Sequence, residues 1–597
     1  MKKYFITLFF LLNLNNLLAS EPQTIRVNSL SVYDQPTYTS HFSHFNYVNP
    51  QAPKGGKITL PAYGGFDNFN PYIFKGIATP EVVDLTLDTL GVIPTDDEAT
   101  AYPLLAKEFE LSSDGSFVGF ILDERAKFSD GSKVTADDVI FSYNSLIEKG
   151  SPFYKLYYSD VEQVKKINNN HVRFYFKQGT QNKELPLILS QIKIYSSKDW
   201  EGLDFAKPSL RKPLGSGPYI LEKFSPAKYL VFKRNPNYWA KDLPSRKGFF
   251  NFDEIRYDYY QDTTVTLQAL FAGTIDAREE YIAKIWAEGY NNDLVTSGKI
   301  IKQELAHNQP AALQYFGFNT RLPKFSDARV REAIGLAFNF DWANNNLFYK
   351  QYKRIDSCFA NTIMASKGIP QGKEKELLSQ LGVQKNIIEE PFELPDHSDH
   401  TKTRNNLRHA VKLLKSAGYD FIDGKMTNLS TKEPLEIEVL GNAANGASFT
   451  RVMLPFIANL KKIGINMTFR NLEVNVFKNR LDNFDFEVAI LGIRMSNLPG
   501  NELKEIWGST SANTRGSYNL IGIKNNIIDK LINIIISSQN KDEYISAIRA
   551  LDRVLLHNHY FIPHWYSPHN RVAFQQGLHY PQTNIPVGFN PYIWWRE

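Results

Sequence analysis

Asp396, His397, Asp399 and His400 crowd carboxylates and imidazoles into one short stretch, and His557, His559 and His564 supply three more imidazoles around Pro563-His564-Trp565-Tyr566. Groups of these types bind divalent metals when they converge on one point. The first set lies in a polar, charged excursion where such side chains are solvated. The second follows the apolar run Leu551–Leu556 and reads as a core or interface group. Glu279 and Glu280 are adjacent, so in a strand they point to opposite faces and cannot act as an acid/base pair. Cys358 is the only cysteine and carries no neighbouring nucleophile signature, so it reads as a small buried residue. G-x-S-x-G, H-E-x-x-H and the phosphate-cradling P-loop are absent. The expectation is a binding protein and not an enzyme, with no cofactor and no metal.

The elements that would position a binding site are legible. Ala126 to Gly150 reads as a strand end, an Asp130-Gly131 turn, and an amphipathic helix. Thr135 is its N-cap, Asp138 completes a near capping box, and Val139, Ile140, Tyr143 and Ile147 recur at helical spacing. Strands and helices alternate over most of the chain, which predicts an α/β fold. Glu436–Leu440, a helix over Phe449–Ile463 and Ile465–Arg470 form a βαβ crossover with a parallel strand pair. A second unit is expected over Ile255–Tyr260, helix Thr263–Ala272 and a short strand at Ile275–Ala277. Residues 367–406 read as a surface excursion.

The N-terminus has the pattern of a cleavable secretory signal over residues 1–20. Lys2 and Lys3 precede a short apolar run, Tyr4–Leu12, and Leu18-Ala19-Ser20 offers small residues before Glu21. No cysteine lies there to carry a lipid anchor. Without Lys2 and Lys3 the chain has 66 basic against 63 acidic residues, which gives no case for nucleic acid. At 597 residues the chain is too long for one core and should divide into domains, held without a disulfide.

Several motifs share an order that resembles the extracytoplasmic solute-binding proteins of family 5, which serve peptide ABC transporters. They are Phe128-x-Asp130-Gly131 followed by Thr135-Ala136-x-Asp138-Val139, Gly215-Ser216-Gly217-Pro218-Tyr219, and Arg234-Asn235-Pro236-x-Tyr238-Trp239. They continue in Phe325-x-Asp327-x-Arg329-Val330-Arg331 and Leu413-Leu414-x-x-Ala417-Gly418-Tyr419. A YejA-like oligopeptide-binding subgroup, linked also to microcin C-like peptides, is similar in Phe45 to Gly56, in Gly65 to Asn70, in Asn251 to Tyr260 and in the ending Tyr592-Ile593-Trp594-Trp595. The resemblance implies a two-lobed periplasmic-binding-protein clam-shell with an extra domain inserted in the first lobe. Lobe I would comprise 21–75, 212–306 and 567–597, the insert 76–211 and lobe II 307–566, with the hinge where the chain crosses near His307 and Ser567.

The resemblance also places two segments against a ligand. Tyr63, Gly64, Gly65, Phe66, Asp67 and Asn68 follow a strand, and Gly492, Ile493 and Arg494, with Asn497, follow the apolar run Val488–Leu491. Glycines there permit another backbone to approach and pair as an added strand. Gly215, Ser216, Gly217 and Tyr219 would form a tight path beside ligand or hinge, and Arg494 could pair a carboxylate. Well-known peptide binders carry an acidic residue soon after the second segment. This chain has Ser496-Asn497-Leu498-Pro499-Gly500-Asn501 instead, leaving the ligand's amino end solvated, or met by Asn497, Glu502 or Glu505. The expected role is that of a monomeric periplasmic carrier delivering oligopeptides to inner-membrane ABC permease subunits. Carriage of an oligosaccharide, nickel or haem on the same fold is the alternative, and a secreted hydrolase the remote third.

Overall fold

A computed structural model describes residues 22–443 and 446–597, so the expected signal segment lies outside the described residues. In lobe I, Tyr219–Ser225, Tyr229–Arg234 and Glu254–Tyr260 form an antiparallel run, and Lys57–Tyr63 joins it parallel to Glu254–Tyr260. Because that last pair is parallel, both strands end at the same edge, where Tyr63 lies beside Tyr260. Alternation along Lys57–Tyr63 buries Ile58 and Leu60 against Phe232 and Ile255. A second, antiparallel sheet holds Ala277–Glu279, His569–Gln575 and Ile300–Ala306 in that order.

Lobe II carries a mixed sheet in the order Asn466–Leu472, Glu436–Asn442, Val488–Ile493, Leu313–Phe318, Phe561–Pro563. Its βαβ unit is parallel as expected, from Glu436 opposite Asn466 to Asn442 opposite Leu472. The strand Val488–Ile493 pairs along its whole length with Leu313–Phe318. On its other side it pairs with Glu436–Asn442 only at Val488 and Ala489. Residues 490–493 therefore run past their neighbour, and that side of their backbone has no strand partner among the described residues.

The insert is a five-stranded antiparallel sheet backed by helix Ala136–Lys149. Asp138 accepts from the Thr135 amide at 2.8 Å, and its other oxygen accepts from Ser197 N at 2.8 Å, so the helix start is tied to the chain that follows. The sheet's first strand is Thr24–Val27, paired with Ala106–Ser112. Thr24–Val27, within the stretch 21–75 expected for lobe I, thus pairs into this sheet. Four residues carry too little periodicity to say which edge they extend. A correction concerns the unit after Tyr260. The short strand falls at Ala277–Glu279 and pairs antiparallel with His569–Gln575, while Glu254–Tyr260 takes its parallel partner from Lys57–Tyr63. The excursion over 367–406 holds helices Gly372–Gln380 and Lys385–Glu389. Buried Leu378 and Ile387 and a Glu374–Arg553 ion pair dock them onto lobe II.

The two lobes are joined where Ile300–Ala306 gives way to Leu313–Phe318 and where Phe561–Pro563 gives way to His569–Gln575. Both crossings link antiparallel neighbours, since Ala306 faces His569 in lobe I and Tyr315 faces Pro563 in lobe II.

Gly215, Ser216, Gly217 and Tyr219 join lobe I to the insert. The Gly217 amide donates to Thr86 O at 2.8 Å, Ser129 N donates to Gly215 O at 2.9 Å, and Asp88 N donates to Ser216 Oγ at 3.2 Å. Tyr219 is buried, with its hydroxyl donating to Phe252 O at 2.7 Å. A Cβ on Gly215 would fall 1.8 Å from Thr86 O, whereas one on Gly492 would meet nothing within 4 Å. Gly215→Ala is therefore expected to lose about 1–3 kcal/mol or more of stability, and Gly492→Ala well under about 1 kcal/mol. Thermal unfolding of the two variants checks this, and equal losses would contradict the packing described.

Candidate ligand-binding cleft

The residues expected to meet a ligand separate into two groups. Tyr63, Gly64 and Asp67 are exposed and Gly65 is half-buried, but Phe66 packs among Phe69, Phe224 and Tyr259, and Asn68 is buried. Asn68 accepts from Asn70 N at 3.0 Å and from Ser209 N at 3.2 Å, so its side chain holds the loop and does not face a ligand. Asp67 is likewise occupied, because its N–H donates to Ile77 O and its Oδ1 accepts from Ile77 N at 2.7 Å. Gly64 has a φ of +79°, and its own N–H and C=O are taken by Tyr260 and Gln261. Gly215, Ser216, Gly217 and Tyr219 are walled into the lobe I–insert junction, where the backbone of Thr86 fills the space beside the glycines.

The second segment is open. Gly492 and Arg494 are exposed, Ile493 and Asn497 half-buried, and Arg494 makes no ion pair among the described residues. Tyr281, from lobe I, lies within electrostatic range of both Tyr63 and Arg494. Its hydroxyl donates to Glu279 Oε2 at 2.6 Å, and its carbonyl accepts from the Tyr352 hydroxyl of lobe II. Burial of that hydroxyl and the Glu279 carboxylate hold its acidity well below that of a free tyrosine. Glu280 turns the other way into a buried pair with Arg278 at 2.6 Å, as adjacent strand positions require.

A cavity of about 1060 Å³ lies between residues 33–37 and 96–99 on one wall and 353–367, 497–498 and 541–549 on the other. Asn497 Nδ2 donates across it to Glu98 Oε1 at 2.6 Å. Asp96 accepts from the Tyr38 hydroxyl through Oδ2, while its buried Oδ1 has no partner among the described residues. Tyr281 and Glu98 were missed at the level of sequence. Tyr281 follows the Glu279-Glu280 pair, and no spacing or motif in the sequence marks it as an interlobe residue. Glu98 closes the Asp96-Asp97-Glu98 run, which has the composition of a solvated turn.

The other sequence candidates lie away from the cleft. Asp396 pairs with Lys402 at 2.5 Å, Asp399 caps helix His400–Ser416, and His397 is buried, its N–H donating to Asp341. His564 stacks among Phe316, Phe449 and Trp565, and burial holds it well below the usual imidazole range. Burial, and then the neighbouring Asp552 carboxylate, push the Cys358 thiol up, opposite to an activated nucleophile. No group of three or more metal-ligating side chains converges among the described residues.

The family model of the bacterial extracellular solute-binding proteins, family 5, middle region, matches residues 100–514. The chain belongs to this family. Within it the chain is of the YejA type, being 37% identical over 580 residues to the "Probable peptide-binding protein YejA" of Agrobacterium fabrum, with 95% of this chain and 93% of that one covered. A "Peptidoglycan-binding protein YepA" of the same organism is 31% identical over 606 residues, covering 98% and 97%. Among solved structures, the oligopeptide-binding protein AppA from Bacillus subtilis, in complex with a nonapeptide, superposes with a TM-score of 0.73 at 18% identity, covering 92% of this chain and all of that one. This family 5 protein is thus a two-lobed substrate-binding component of an ABC transporter. No helix among its described residues is long and apolar enough to cross a membrane.

Glu98, which accepts from Asn497 of lobe II, gives the stability of this family 5 protein a pH dependence. Burial, and then the neighbouring Asp96 carboxylate, push it up to about 7. A carboxyl whose pKa is raised on folding binds its proton more tightly in the folded, closed form. The stabilisation is full below its ordinary value and is lost as pH rises through about 7. The melting temperature should therefore fall between about pH 5 and about pH 8, and Glu98→Gln, which keeps the acceptor for Asn497, should shrink that fall. Differential scanning fluorimetry of both proteins checks it; identical pH profiles would contradict it.

Proposed function

We propose that this protein captures oligopeptides in the interlobe cleft and delivers them to ABC permease subunits. The single observation that carries the reading is the side of residues 490–493 that has no strand partner among the described residues, leading to Arg494, which lies within electrostatic range of Tyr281 of the other lobe. An extended peptide laid along that edge pairs its backbone N–H and C=O groups irrespective of sequence, and its side chains fall alternately to either side. The AppA structure with its nonapeptide and the peptide-binding name of the Agrobacterium relative support the same ligand class. The YepA name favours, as a second reading, peptide-bearing fragments of peptidoglycan, which offer the same backbone groups. The carrier acts as a monomer in the periplasm, where a leader over residues 1–20 would deliver it.

Mass spectrometry of ligand released from freshly purified protein tests this, with peptides of mixed sequence expected; a sugar without peptide, a metal complex or haem would overturn it. Gly492→Val is the matching variant. Its side chain enters open space and leaves the fold intact, yet it bars the approach of a backbone. Affinity for peptides of every sequence should drop at least about tenfold by calorimetry. Retention of wild-type affinity would remove this edge from the contact surface. Gly64→Val is a poorer probe, since a positive φ strains any β-branched residue there.

A further inference from the structure

Two carboxyls from different parts of the molecule meet at one glycine. Glu184 precedes the insert helix Leu185–Ser190, and its Oε2 lies 1.8 Å from where a Cβ on Gly500 of lobe II would stand. Glu502 opens helix Glu502–Ile506 and accepts from Gly500 N at 3.0 Å and from Ser496 Oγ at 2.5 Å. Only glycine at 500 lets Glu184 come this near. Glu184 is buried and Glu502 half-buried, so water does little to screen one from the other.

The junction that brings them together is built from specific bonds. Asn501 Nδ2 donates to Tyr157 O of the insert at 2.8 Å, Lys183 Nζ donates to Gln539 O at 2.9 Å, and the Tyr544 hydroxyl donates to Pro499 O at 2.8 Å. Asn182 accepts from Glu184 N at 3.1 Å and donates to Asp160 at 3.0 Å, which fixes the turn that presents Glu184. Parting of the insert from lobe II would return both carboxyls to water.

The groups facing the pair supply little positive charge. Tyr157 of the insert, Tyr33 of the N-terminal stretch and Tyr544 of helix Lys541–His557 all lie within electrostatic range of Glu184, and Tyr157 and Tyr544 also of Glu502. Glu543 acts on Tyr33 from the other side. Next to Glu502 in sequence, Lys504 is the one cation acting on Glu184, and it lies 3.8 Å from Asp160, while Glu505 is itself a buried carboxyl. Burial, and then Glu502, push Glu184 well above the usual carboxylate range, against the Asn501 N–H and Lys504. Burial pushes Glu502 up as well, but its two donors favour its charged form. A proton entering the pair therefore rests on Glu184.

We propose that Glu184 and Glu502 form a proton-operated latch between the insert and lobe II: docking takes one proton from solvent onto the pair, and undocking returns it. The docked form binds the proton more tightly, so its advantage is full below the ordinary carboxyl range and is lost as pH rises through the raised value. Acid closes the latch and alkali loosens it. The latch goes beyond the carrier reading and does not depend on what the cleft holds.

Double electron–electron resonance on the ligand-free mature chain decides it. Spin labels at Gln178→Cys in the insert and Lys530→Cys in lobe II occupy exposed positions, and Cys358 is buried out of reach of the reagent. Between pH 8 and pH 5, at constant ionic strength, the ratio of short to long distances is expected to rise at least about threefold. Glu184→Gln, a neutral copy of the protonated side chain, should hold at pH 8 the ratio that the wild type reaches only at pH 5. Should that variant fail to fold, Glu502→Gln supplies the same test, because it also removes the like charge. Glu98→Gln should keep most of the wild-type response. A ratio that ignores pH in the wild type overturns the latch. So does a folded Glu184→Gln or Glu502→Gln that follows pH as the wild type does, or a response abolished in Glu98→Gln.

Discussion

The organisation of this protein rests on how lobe II is attached. The chain passes between the lobes over residues 307–312 and 564–568, and each passage links strands that are antiparallel neighbours on both sides. Two adjacent, parallel tethers leave one main freedom, rotation of the lobes about the line they define. Local packing limits that rotation. Asn361, at a positive φ, donates to the carbonyls of His307 and Gln309, and Ile355 N donates to His564 O at 3.1 Å. On the proposed carrier reading the cleft opposite the tethers opens and closes as two rigid bodies, and a ligand touching both shifts the balance by its differential affinity for the closed form.

Lobe II also touches the chain that precedes residue 212. Glu98 with Asn497, Lys504 with Asp160, Lys183 with Gln539 and Tyr33 with Tyr544 bring the chain before residue 212 into contact with lobe II. These contacts are not electrostatically neutral. Carboxyls whose acidity is suppressed by burial recur along this boundary, at Glu98, Glu184, Glu502 and Glu505. An interface that must open cannot rely on apolar burial alone, and suppressed carboxyls supply a bias that protons or cations can tip.

Much of this was legible in the residues. The βαβ crossover, the helix capped at Thr135 and the α/β alternation follow from hydrophobic period and capping chemistry, which are local properties. The order of motifs places Gly492, Ile493, Arg494 and Asn497, after the apolar run Val488–Leu491, at the expected contact edge. What escaped was decided by partners far away in the chain. Thr24–Val27 joins the insert because Ala106–Ser112 offers an edge, and nothing in four residues announces it. The glycines of Gly215-Ser216-Gly217 suggest room for a ligand, yet the space is filled by the backbone of Thr86. Phe66 and Asn68 alternate into the core with the strand that precedes them, a consequence of loop geometry that the glycines alone do not reveal. Tyr281 gains its meaning only because lobe II folds over it.

The account turns on closure around a peptide. Small-angle X-ray scattering of the mature protein, with and without a saturating mixture of extended peptides, measures it most directly. Rotation of two rigid bodies about paired tethers predicts a smaller radius of gyration with peptide bound, and a lesser decrease for Gly492→Val at the same peptide concentration. A radius unchanged at saturation, with binding verified by calorimetry, would contradict it.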